Sequence, residues 1–375
     1  MLLRLLLLVL LATVPVHAAN RMQQFLLGLP KPELHIHFEG TIEPGTVLEI
    51  ARRNHLDHFP YGSVAEIQQR MGDAKDLPSF IRVYEELLSV IRTEDDFYEV
   101  AMRYFRRVRQ QNVVYVEMFF DPQMHTARGI PYATVIAGLR RARQDAAATL
   151  GLRCEFILCF NRDRSAESAL AHLEKALPDR DIIIGVGTDN PEDAGFPARF
   201  APVFQRAAAA GFRLTSHCDV DIKGSGENIR DCLGLLQVER IDHGVNVLDD
   251  PALIARAREK HTGFTVAPAL LYGPAPGAVN TFYFDRCARA AKAMLDAGLL
   301  VTLASDDPGI MCSQYVGEVY VATQARLDLS AAEMVAFARN GFAMAWLPAA
   351  DKARYLALLD AYVQHFPSPE SAAAP

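Results

Sequence analysis

The sequence lacks any C-x-x-C pair. Its six cysteines, Cys154, Cys159, Cys218, Cys232, Cys287 and Cys312, are scattered along the chain. That excludes a zinc ribbon and a thioredoxin-like motif, and it leaves most of them as small buried hydrophobes. No block of basic residues is present and the net charge is −7, so no nucleic acid is expected as a partner. No internal repeat is evident, which excludes solenoids and propellers. Tryptophan occurs once. What the chain has in quantity is apolar residue: 50% is hydrophobic and 22% charged over 375 residues. A large buried core follows, and global disorder does not.

The only extended apolar run is at the start, "MLLRLLLLVLLATVPVHAAN". A charged start, a short apolar segment and a small-residue site near Ala18 or Ala19 read as a secretory leader over residues 1–19. The run is too short for a convincing membrane span. A leader would place the mature chain in the periplasm or outside the cell, with no membrane span of its own. The alternative is a cytoplasmic chain beginning at Met22. One domain is expected over residues 22–365, followed by a frayed tail, "FPSPESAAAP", at 366–375.

Between these ends, apolar runs alternate with helical stretches. The runs are "ELHIHF" (33–38), "VVYVEMFF" (113–120), "CEFILCF" (154–160), "IIIGVG" (182–187), "FRLTSH" (212–217), "RIDHGV" (240–245), "GFTVAPAL" (263–270) and "LLVTLASD" (299–306). Near-continuous apolar strands separated by helices indicate a buried parallel sheet. Eight of them indicate an α/β fold, a (β/α)8 TIM-type barrel. Helix-like segments such as "TVIAGLRRARQDAAATLG" end in glycine, as a C-cap does. The segment 42–110 is helical in pattern and forms an insertion after strand 1 that could cap the barrel mouth.

Function in such a barrel sits where strands end at the C-terminal face. Reading those ends gives His35, His37, Glu117, Asp121, Asp189, His217, His243, Asp306 and Asp307. His35 and His37 alternate on one strand and so project together. Two imidazoles from strand 1, a third from strand 5 and a carboxylate from strand 8 would make a His₃Asp set suited to zinc. A lone H-x-H is more often ordinary, and "SDDP" alone is often a turn or cap. Together, four imidazoles and two carboxylates at strand ends would be costly to bury without a metal.

At these residues the chain resembles the adenosine and adenine deaminase family of the amidohydrolase superfamily. The resemblance runs through "LGLPKPELHIHFEGTIEP", "FYEVAMRYFRRVRQQNVVYVEMFFDPQMHTARGIP", "RIDHGVNVLDDPAL" and "VTLASDDP", over roughly residues 24–350. "LPKPELHIHFEGT" and "FFDPQMHTARGIP" look most like the adenine deaminase branch. The resemblance implies one Zn²⁺ held by His35, His37, His217 and Asp306. It implies that His243 positions and helps activate a water, and that Asp307 holds the purine ring. Glu39 matches an acidic residue near the sugar side, or closed side, of the pocket. "GTDNPE", Gly187 to Glu192, stands where the family carries a substrate-side segment, with Gly187 as the candidate contact. The implied reaction is hydrolytic removal of ammonia from a 6-aminopurine, adenosine or adenine, with or without an N6 substituent. The partners are then a small purine and water. The oligomeric state is left open.

The chemistry accounts for these residue types. Zinc acidifies a water, the water adds to C6, and ring N1 must gain a proton before ammonia leaves. The family supplies that proton from the glutamate of "HAGE". Here the corresponding residues are His217, Cys218, Asp219 and Val220. Valine transfers no proton, so Asp219 and Asp221 become the candidates. The family's "TVCPxSN" is "TVAPALL" here, Thr265 to Leu271, an apolar change that could suit an N6-alkyl group. Two other readings stand beside the deaminase: a hydrolase of another amine or amide, and a zinc-bound purine-binding protein without full catalysis. The zinc nucleobase deaminases that use cysteine ligands and an H-x-E motif do not match.

Overall fold

Eight parallel strands pair in chain order: β1 (Lys31–His37), β2 (Val113–Phe120), β3 (Arg153–Asn161), β4 (Ile183–Asp189), β5 (Arg213–Cys218), β6 (Arg240–His243), β7 (Gly263–Val266) and β8 (Leu300–Leu303). The computed structural model describes residues 21–218, 225–275 and 277–366. The leader, nearly all of the tail, and both Asp219 and Asp221 lie outside the described residues. Closure comes just beyond β8. Ile36 bridges Asp306 in parallel, with His37 N donating to Asp306 O at 3.1 Å and Asp306 N donating to His35 O at 3.1 Å. The result is the expected (β/α)8 barrel, closed through the residue read as a metal ligand.

Strand composition explains the layering. In β1, Leu34 and Ile36 belong to the main hydrophobic cluster, while the alternate residues Glu33, His35 and His37 are buried polar groups. The insertion after β1 forms helices Pro44–Arg53, Val64–Gly72, Leu77–Leu88 and Glu94–Arg109. The third starts at Asp76, whose carboxylate accepts from Ser79 N at 2.8 Å, with a reciprocal capping box. The fourth carries Glu94, Asp95 and Asp96 in its first turn and Arg106, Arg107 and Arg109 in its last, an arrangement that complements the helix dipole. The helical reading of 42–110 therefore holds, and residues 71–84 roof the barrel mouth as expected. A short antiparallel pair, Leu271–Tyr272 with Val279–Asn280, completes the roof. Gln69 Nε2 ties it to the insertion by donating to Pro274 O at 2.9 Å.

The single tryptophan closes the opposite end. Trp346 packs against Phe119, Ile157 and Cys159 inside the barrel. Gly185 makes room for it: a Cβ there would lie 2.3 Å from the indole. Beside it runs a buried ion pair, Arg240 Nη1 to Glu117 Oε2 at 2.6 Å, with the guanidinium 4.2 Å from the Trp346 ring centroid. Glu117 also accepts from Tyr115 Oη at 2.9 Å and Trp346 N at 2.6 Å. This corrects the reading of Glu117 as a strand-end site residue. It lies in mid-strand, and Asp121 is the acid that follows the end of β2.

Removing one partner of a buried pair leaves the other uncompensated. Glu117→Ala is expected to cost about 3–5 kcal/mol of stability, measured by denaturant unfolding. Metal content at the far end of the barrel is expected to stay unchanged.

Candidate metal and active site

Four donors converge at the C-terminal mouth. His37 Nε2 lies 3.1 Å from His217 Nε2, which lies 3.2 Å from His35 Nε2. Asp306 Oδ1 is 3.3 Å from His35 Nε2 and 3.5 Å from His37 Nε2. Ligands about 2.0–2.1 Å from a tetrahedral ion are separated by about 3.3–3.4 Å, so these spacings match the edges of such a site.

The tautomers agree. His35 Nδ1 donates to Thr265, with O at 3.1 Å and Oγ1 at 3.0 Å, and His217 Nδ1 donates to Thr188 O at 2.8 Å. Each therefore turns a lone pair, not a proton, toward the centre, as second-sphere bonds to metal-ligating histidines do. Lone pairs 3.2 Å apart repel unless a cation lies between them. Burial, then the neighbouring His35 and His37 imidazoles, holds His217 well below the usual histidine range, which keeps it neutral. Burial alone would raise Asp306, but His35, His243 and His37 outweigh it and hold the carboxylate low. The donor set fits a divalent metal.

The other mouth residues surround this set. His243 Nε2 is 3.7 Å from Asp306 Oδ2, and His243 joins His35 and His217 in a second possible ligand triad. Asn190, His243 and Asp306 all hold left-handed backbone, with φ of 65°, 60° and 63°. That is backbone strain concentrated at strand ends that line the cavity. Asp307 accepts from Tyr84 Oη at 3.1 Å. Burial, then the adjacent Asp306 charge, pushes its carboxyl well up, which favours the protonated, donating form.

Two sequence-based candidates lie elsewhere. Glu39 is fully buried and absent from the cavity wall. Its Oε1 accepts from Asp121 N at 3.0 Å and His125 Nε2 at 2.9 Å, so it braces the turn after β2 from behind. Gly187 does not line the cavity either. A Cβ there would meet Cys159 and Thr215 at 3.1 Å, so its role is packing inside the barrel. In the apolar "TVAPALL" stretch only Leu271 reaches the cavity.

The cavity in front of the donors measures about 830 Å³, within the range of ligand sites. Its floor is polar, with His37, Asp121, Arg162, Asp189, Asn190 and Asp307; its outer wall is apolar, with Leu77, Phe80, Ile81, Leu271, Tyr272 and Phe282. Sequence reasoning missed Arg162 and Tyr84. Arg162 follows the last residue of β3 and was within reach of the strand-end rule. It donates to His217 O at 2.6 Å and Asn190 O at 2.6 Å, and stacks on Phe196, so it pins the backbone of a metal donor. Tyr84 sits on an insertion helix, where no spacing marks it.

Gly40 sets the position of Asp307: a Cβ on Gly40 would fall 1.7 Å from Asp307 Oδ1. Gly40→Ala is expected to displace Asp307 and lower kcat/KM by about 10²-fold. Metal content, read by elemental analysis, is expected to be retained.

Comparison with known proteins agrees with this geometry. The adenosine deaminase family model matches residues 30–362. An adenine deaminase of Cupriavidus pinatubonensis is 41% identical over 346 residues, covering 92% of this chain and 95% of its own. The crystal structure of adenine deaminase from Arthrobacter aurescens superposes with a TM-score of 0.82 at 30% identity, over 90% of this chain and 99% of that one. An amidohydrolase of Burkholderia ambifaria with bound Zn gives a TM-score of 0.80 at 25% identity, over 92% and 94% of the two chains. With a closed barrel, a His₃Asp donor set at its mouth and near-full-length matches in sequence and structure, the chain belongs to the adenosine deaminase family.

Proposed function

We propose that this deaminase of 6-aminopurines works with zinc held by His35, His37, His217 and Asp306. The carrying observation is the convergence of those four donors at 3.1–3.5 Å, with Asp307 beside them and a polar-floored cavity in front. When bound, the ion supplies a water acidified toward neutrality.

The chain's own groups supply the remaining roles. His243, facing Asp306 Oδ2 from the cavity wall, orients the water and takes its proton as the oxygen adds to C6. Asp307, buttressed by Tyr84, holds a ring nitrogen so that C6 meets the water. N1 then gains a proton, and the proton taken by His243 passes to the amino group. The C6–N6 bond breaks to release ammonia, as the hydroxyl on C6 gives up its proton to the N1 donor and becomes the carbonyl. From the sequence alone, Asp219 or Asp221 is assigned the proton transfer at N1. The apolar outer wall supports tolerance of an N6-alkyl group.

Ammonia release from adenine, adenosine and N6-alkyl purines tests this reading. Chelation is expected to abolish turnover and zinc to restore it, while His217→Ala is expected to lose metal and activity together. Release from non-purine amines alone would point instead to another hydrolase of the superfamily. Bound zinc without release from any amine would point to a purine-binding protein. In a separate comparison, Asp219→Ala and Asp221→Ala are made side by side. One of them is expected to lower kcat by about 10²–10⁴-fold with zinc retained; full turnover in both would remove each from the proton route.

A further inference from the structure

Two of the six cysteines meet at the end of β5. Cys218 Sγ lies 3.8 Å from Cys232 Sγ, and the two positions are 14 apart in sequence. Both side chains are fully buried. Cys218 is the last paired residue of β5, opposite His243. Cys232 follows the helix Gly226–Asp231 and opens the turn Cys232–Leu236. Each sulfur is therefore presented by a regular element, with the other in direct contact. In the motif "HAGE" the residue after the histidine is alanine, where this chain has Cys218. The pair is thus no part of the resemblance that assigns the metal donors.

The surroundings lose little if the thiol hydrogens leave. Cys218 donates to the Cys232 sulfur, and Cys232 donates to Ser216 Oγ at 3.5 Å. Thiols are weak donors. Ser216 Oγ keeps Thr188 Oγ1 as a partner at 2.7 Å, so its hydroxyl is not stranded. A disulfide holds its sulfurs about 2.05 Å apart, so the two must close by about 1.8 Å. Small turns about χ1 at both side chains supply a movement of that size.

We propose that Cys218 and Cys232 form a disulfide that ties the end of β5 to the helix Gly226–Asp231. Two S–H bonds break and one S–S bond forms. The two protons and two electrons pass to a disulfide oxidant, which is reduced to two thiols by exchange through a mixed disulfide. The bond forms as the chain folds, before the barrel buries both sulfurs. Oxidising compartments sustain such bonds, and the leader read over residues 1–19 would carry the chain to one. The loop that the bond closes contains Asp219 and Asp221, so it fastens both ends of the stretch from which the proton carrier is drawn. The proposal does not depend on which substrate the enzyme takes.

The test exports the full chain to a bacterial periplasm behind a leader of known function. The purified protein is denatured, its free thiols are alkylated, and its unreduced digest is mapped by mass spectrometry. One linked peptide joining Cys218 to Cys232 is expected, with Cys154, Cys159, Cys287 and Cys312 alkylated. Reducing the linked protein with a phosphine is expected to lower Tm by about 3–5 °C, the effect of releasing a loop of about 15 residues. Cys218→Ala and Cys232→Ala are expected to show no such drop. If export failed, refolding in mixed oxidised and reduced glutathione, followed by the same mapping, would carry the test. Alkylation of both Cys218 and Cys232 would overturn the proposal. So would a bridge from either of them to another cysteine. A Tm unmoved by reduction of the linked protein would overturn the role of the bond as a tie.

Discussion

Two backbone hydrogen bonds hold the site together: His37 N to Asp306 O, and Asp306 N to His35 O. They close the barrel by joining β1 to the residue beyond β8, and the same bonds bring the Asp306 carboxylate against the two imidazoles of β1. The left-handed backbone at Asp306, φ 63°, is a conformation that aspartate tolerates better than most residues. It lets one residue pair in the sheet and still aim its side chain inward. Barrel closure and metal-site assembly are thus one structural event, and a chain that failed to close would have no His₃Asp set.

Below the mouth, a polar column passes down the barrel. His35 Nδ1 leans on Thr265, whose hydroxyl donates to Asp242 Oδ1 at 2.7 Å; Thr215 donates to Asp242 Oδ2 at 2.6 Å. Asp242 in turn lies 3.7 Å from Arg240 Nε, and Arg240 pairs with Glu117 beneath. Every member is buried; Arg240 is paired through Nη1 alone, its Nε and Nη2 having no hydrogen-bond partner. The column fixes the tautomer of His35 from below and anchors it to the Trp346 plug. The metal donors are therefore oriented by the barrel's own interior, on strands and not on loops, the more precise placement for a constellation of ligands.

This division explains what could be read from the residues and what could not. The strands were legible because a sheet buried on both faces needs nearly unbroken apolar runs. "VVYVEMFF" matches β2 at both ends, and the other runs fall within a few residues of theirs. The donors were legible because alternation on β1 and position at strand ends are local properties. Glu117 was misplaced because its partner, Arg240, lies far along the chain, and no local pattern announces a pairing across the barrel. Glu39 was expected near substrate for its place in "HFEG", yet the 3-10 turn Glu39–Thr41 directs it behind Asp121 onto His125. Gly187 is set by a similar tertiary constraint, the bulk of Cys159 and Thr215 on neighbouring strands. The apolar wall comes mostly from the insertion and the 271–283 segment, whose approach to the mouth is purely tertiary.

The departure from the family resemblance follows the same boundary. His35, His37 and Asp306 are locked by the closure bonds, and His217 is paired in β5 against Asp242 and pinned at its carbonyl by Arg162. The backbone at each of these positions is fixed by strand pairing, so each donor side chain starts from a set point. The last paired residue of β5 is Cys218, opposite His243, and the altered stretch "DVD" begins immediately after it. A proton carrier has looser demands than a ligand: it needs the right pKa and hydrogen-bond reach, directly or through one water, whereas a ligand must sit within about 0.2 Å of its distance. Sequence can therefore vary more freely at a proton carrier than at a ligand. The stretch that follows His217 differs from "HAGE" while the four donors are in place.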